Sequence, residues 1–70
     1  MKQLHEYKCQ IENYLGHGML SYSIRDAVII AESKTAACKM ASEAVNFYKC
    51  CKIKSTSDAA PDAERGIKWL

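Results

Sequence analysis

Seventy residues, a formal charge of +2 and a hydrophobic share of 49% exclude several classes at once. A chain of this length buries only about 60% of the surface it exposes when unfolded, so it forms one domain with one small core and no deep pocket. The charge is too modest to require a nucleic-acid partner, and no apolar run approaches the roughly 18 residues of a membrane span.

The excess charge is unevenly placed. Residues 1–33 sum to −1, residues 34–54 to +4 and residues 55–70 to −1. Lys34, Lys39, Lys49, Lys52 and Lys54 make the basic block, offset by Glu43. Such a block is either a solvated face or a binding surface.

In chain order, residues 5–13 alternate, with Tyr7, Cys9 and Ile11 on one side and Glu6, Lys8, Gln10 and Glu12 on the other, the pattern of a half-buried strand. The run YLGHG at 14–18 carries two glycines and turns the chain. Residues 19–31 complete a hairpin spanning 5–31, but both their faces are apolar. Leu20, Tyr22, Ile24, Val28 and Ile30 share one side with Asp26; Ala27, Ile29 and Ala31 share the other. A bulge near Arg25 and Asp26 would restore one inward face; the alternative is that a second copy of the chain covers Ile29.

Residues 33–48 predict an amphipathic helix capped by Ser33. Ala37, Met40, Ala41, Ala44 and Tyr48 form its inward stripe, bordered by Ala36, Val45 and Phe47, with Thr35, Lys39, Ser42, Glu43 and Asn46 toward water. A stripe this rich in alanine lets the helix lie close to a sheet. Residues 49–55 alternate again as a third strand, with Cys51 and Ile53 inward and Cys50, Lys52 and Lys54 outward. Residues 56–66 have loop composition around Pro61, which can begin one helical turn, and residues 67–70 add a short final strand with Ile67 and Trp69 inward. Trp69 fits a core plug beneath the helix or, alternatively, an exposed anchor. The fold expected is α+β: one domain, in β-β-α-β order, with an antiparallel sheet of three to four strands and the helix packed on one face. The other face is bare, with Lys8, Lys52, Lys54 and Lys68 diluted by Glu6 and Glu12.

Catalytic chemistry finds little purchase in these residues. Cys9, Cys38, Cys50 and Cys51 show no C-x-x-C spacing, His5 and His17 no H-x-x-x-H, so neither a zinc site nor any other cofactor is expected. His17 between glycines is the only loose partner for a thiol nucleophile. The opening MKQLHEYKCQ has no apolar core of a signal peptide, and the cysteines read as reduced thiols of a cytoplasmic protein, used as small apolar residues.

The run at 29–41, IIAESKTAACKMA, resembles a strand, Ser cap and alanine-rich helix common in small phage and mobile-element proteins. The matching positions are Ile29, Ala31, Ser33, Ala37, Lys39 and Ala41, with Phe47 and the Lys52-Ile53 pair continuing the register. The nearest resemblance is to small inhibitors of type I-F CRISPR-Cas complexes. It implies a non-catalytic protein of the host bacterial cytoplasm that docks on an RNA-guided effector complex and blocks target DNA, with Lys39 and Lys52 at basic positions of the pattern. Lys54, Lys8 and Lys68 complete the surface residues expected to contact a partner. Two alternatives from other classes stand beside it: a nucleic-acid-binding module using the bare basic face, and a structural homodimer rather than a monomer.

Overall fold

The computed structural model describes residues 3–15 and 21–70; the expected glycine turn and His17 lie outside them, as does Leu20. Four strands and one helix follow in the order β1 (His5–Tyr14), β2 (Tyr22–Ala31), α1 (Lys34–Ala44), β3 (Tyr48–Asp58) and β4 (Gly66–Trp69). The strands form one antiparallel sheet ordered β3-β1-β2-β4, which is the expected β-β-α-β layout with its fourth strand present.

Topology explains the helix. β2 and β3 both run antiparallel to β1 and lie on either side of it, so they point the same way. The chain leaving β2 must therefore return along the length of the sheet before β3 can begin, and α1 makes that return. Its alanines settle the layer: Ala37 and Ala41 are fully buried against Tyr7, Cys9, Ile11, Ala27, Ile29 and Ala31. Met40, Val45, Tyr48, Cys51, Ile53, Ile67 and Trp69 pack around that cluster. Trp69 thus lies on the inner side, where the Arg25 guanidinium stands 4.1 Å above its ring.

Four expectations are corrected. First, the β1–β2 ladder runs in unbroken register from His5 opposite Ala31 to Tyr14 opposite Tyr22, with no bulge at Arg25 and Asp26. The core takes Ala27, Ile29 and Ala31, while Tyr22 and Ile24 are exposed. Ile29 is 0% exposed within the single chain, so a second copy has no part in covering it. Second, the helix stops at Ala44 rather than residue 48. Val45 is already extended, Phe47 takes a left-handed φ of 56°, and Tyr48 enters β3 opposite Asn13. The Tyr14 amide donates to the Phe47 carbonyl at 2.8 Å, so pairing with β1 overrides helix propensity here. The N-terminus is as expected, with the Ala36 amide donating to Ser33 Oγ at 3.1 Å.

Third, Thr56, Ser57 and Asp58 are strand rather than loop, opposite Tyr7, Glu6 and His5. Fourth, Pro61 sits in a hydrogen-bonded turn, the Ala63 amide donating to the Ala60 carbonyl at 2.9 Å, in place of a helical turn. An ion pair between Arg65 and Glu32 ties this connection to the junction of β2 and α1.

Candidate functional site

The face of the sheet opposite α1 carries a consistent set of rows, because residues paired across antiparallel strands point to the same side. Ser57, Glu6, Ile30 and Gly66 make one row; Ser55, Lys8, Val28 and Lys68 the next; Lys52, Gln10 and Asp26 the third; Cys50, Glu12 and Ile24 the fourth. Tyr14 and Tyr22 follow at the hairpin end.

Two irregularities in β3 shape this face. The β1–β3 register shifts between Lys8 and Cys9 and again between Glu12 and Asn13, which leaves Lys54 and Lys49 as extra residues of the edge strand. Under unbroken alternation Lys49 would fall on the side of Cys51. The second shift instead brings its Nζ to 3.3 Å from Glu12 Oε1, while Lys52 Nζ lies 3.3 Å from Glu12 Oε2. Glu12 is consequently only 2% exposed although no helix or strand among the described residues covers this face. Burial alone would raise its pKa, but Lys52 and Lys49, helped by Cys50, outweigh it and hold the carboxyl below its usual range. Lys49 is correspondingly raised by Glu12 and stands 4.8 Å from the Tyr22 ring centroid.

The five lysines expected to meet a partner do not form one patch. Lys8 and Lys68 share a row across Val28, and both are exposed. Lys52 lies on the same face but is committed to Glu12. Lys54 is exposed at the edge-strand bulge. Lys39 is exposed on α1, in the other layer.

The apolar part of this face was not read as a site from the sequence. Tyr22 is 47% and Ile24 52% exposed, and Val28 and Ile30 are half-buried beside them. Leu70, 74% exposed, is held next to β2 by its amide, which donates to the Asp26 carbonyl at 3.0 Å. A groove of about 500 Å³ has Val28, Ile30 and Leu70 in its lining together with Glu6, Glu64 and Lys68. The signal was present in the sequence: β2 is apolar on both sides, which in a sheet covered on one side leaves one apolar side over.

Among the described residues, no group of three His, Cys, Asp or Glu side chains is arranged to hold a metal ion, and no helix is long and apolar enough to cross a membrane. No family model, curated protein or solved structure matches the chain.

Proposed function

We propose that the protein is a non-catalytic binding module that docks through the bare face of its sheet. The observation that carries this reading is the second apolar side of β2. Tyr22, Ile24, Val28 and Ile30 share one side of the strand, interrupted by the exposed Asp26, with no helix or strand among the described residues laid over them and with Lys8 and Lys68 beside Val28. An apolar centre with a charged rim is the chemistry of a protein interface. Nucleic acid fits this face less well, because both Lys52 and Lys49 are engaged by Glu12, whose carboxylate offsets one of their two charges, Glu6 and Asp26 add negative charge to the same face, and the Tyr22 ring already carries Lys49.

The partner we propose is the one the resemblance at 29–41 implies: an RNA-guided type I CRISPR-Cas complex, bound so that target DNA is sterically blocked, by a phage or mobile-element protein working in the bacterial cytoplasm. Equilibrium binding to the purified effector complex, followed by target-DNA competition, tests it. A Lys8→Glu, Lys68→Glu double variant should bind roughly tenfold or more weakly, and Lys39→Glu should bind as wild type. No binding to the effector complex, or sensitivity confined to Lys39, would remove the proposal. Lys52 is unsuitable as a probe, since its loss also unbalances Glu12.

A further inference from the structure

Two neighbouring rows on the bare face carry opposite charge. In one, Glu6 stands across from Ile30 and Ile30 across from Gly66; in the next, Lys8 stands across from Val28 and Val28 across from Lys68. The rows lie two residues apart along each strand, about 7 Å. Glu64, two residues before Gly66, lines the groove of about 500 Å³ together with Glu6 and Lys68, over an apolar floor of Val28, Ile30 and Leu70. Among the described residues, none of Glu6, Glu64, Lys8 and Lys68 is in an ion pair, whereas Arg65, the remaining charged residue of the lining, is held by Glu32. The acidic row is also open above the sheet, because a Cβ placed on Gly66 would meet nothing within 4 Å.

We propose that this groove is a peptide-docking site that takes an extended segment of the partner protein carrying an arginine and, two residues along, an acidic side chain. The site rests on the reading of the bare face as the docking face and names what that face recognises.

Charge complementarity selects the occupant. In an extended chain, residues two apart point to the same side about 7 Å from each other, the same repeat that separates the two rows. An arginine over the Gly66 end lays its aliphatic stem on Ile30 and presents its fork of N–H donors to the Glu6 and Glu64 carboxylates. The acidic residue two positions along then lies over Val28, between Lys8 and Lys68. A segment with charges of one sign, or a nucleic-acid strand, matches one row and is repelled by the other. Because Val28, Ile30, Gly66 and Lys68 are in paired strands, the spacing of the rows is set before anything binds, which limits the ordering cost to the peptide.

The test is titration of the isotope-labelled protein with acetylated, amidated peptides, followed by amide chemical shifts. The mixed peptide Thr-Arg-Thr-Glu-Thr should give saturable shifts centred on Glu6, Val28, Ile30, Gly66 and Lys68, and the uniform peptides Thr-Arg-Thr-Arg-Thr and Thr-Glu-Thr-Glu-Thr should bind about tenfold or more weakly. Gly66→Leu places a side chain in the open space of the groove and should weaken the mixed peptide by a similar factor. The Glu6→Gln, Glu64→Gln double variant removes the arginine's partners without adding bulk, should weaken it likewise, and decides the matter if Gly66→Leu does not fold. An absence of saturable shifts, equal affinity for the three peptides, or unchanged affinity in either variant would each overturn the proposal. The titration contains no effector complex, so its failure leaves docking through the bare face standing, and failure to bind the effector complex leaves the peptide result standing.

Discussion

The two faces of the sheet use the same strands to opposite ends. On the side of α1, β1 and β2 supply Tyr7, Cys9, Ile11, Ala27, Ile29 and Ala31, all at 3% exposure or less, and two helix alanines close over them. On the bare side, the alternate residues of the same strands supply Tyr22, Ile24, Val28 and Ile30 beside a buried but ion-paired Glu12. Apolar character alone does not separate the faces, since β2 has it on both. The difference is the helix: one face spends its apolar surface on folding, and the other, which no described helix or strand covers, is the face proposed for a partner.

The sharpest way to break that comparison is a matched pair of truncations. Ile29→Ala, beneath α1, should cost about 2–5 kcal/mol in denaturant unfolding, whereas Ile24→Ala, half-exposed on the bare face, should stay within about 0.5 kcal/mol. Equal costs would mean that the bare face is also core.

Glu12 supplies a pH test of the same division. Its folded-state pKa is lowered below the ordinary value of 4.5, so between the two values the unfolded chain binds more protons than the folded one. The carboxylate's contribution is therefore fully present above pH 4.5 and is lost as pH falls through the lower folded value. Unfolding curves from neutral to acidic pH should show wild type losing stability on that limb, with a shallower fall in Glu12→Gln, which starts less stable at neutral pH because Lys49 and Lys52 lose their counter-charge. Parallel curves would show that the ion pairs add nothing.

Smaller effects belong to the ends of the helix. Ser33→Ala removes the acceptor for the Ala36 amide and should cost about 1 kcal/mol by thermal or chemical unfolding. Phe47→Gly relieves a left-handed φ of 56° but adds freedom to the unfolded chain, so the variant should fall within about 1 kcal/mol of wild type.

What was legible in the sequence was whatever one period could decide. The clean alternation of Tyr7, Cys9 and Ile11 fixed the inner face of β1, and Ser33 with the alanine stripe fixed the start and the layer of α1. β2 was ambiguous because Ile29 and its neighbours Val28 and Ile30 satisfy either parity; only the position of α1 selects Ile29. The helix end at Ala44 was hidden for a related reason, since residues 45–47 have no glycine or proline to mark it and the stop is imposed by pairing of Tyr48 with Asn13. Glu12 looked like an ordinary solvated carboxylate, and its burial depends on a register shift that moves Lys49 across the sheet, a tertiary event without a local signature. The lysines were legible as charge but not as a surface: Lys39 and Lys8 are on different layers, and Lys52 is already engaged.

Side-chain footprinting of the protein free and bound to the effector complex tests the division of faces most directly. The expected result is protection of Tyr22, Ile24, Lys8 and Lys68 on binding, with Lys34, Lys39 and Glu43 on α1 labelled equally in both states. Protection confined to the α1 side chains, with the bare face of the sheet still fully labelled in the complex, would contradict it.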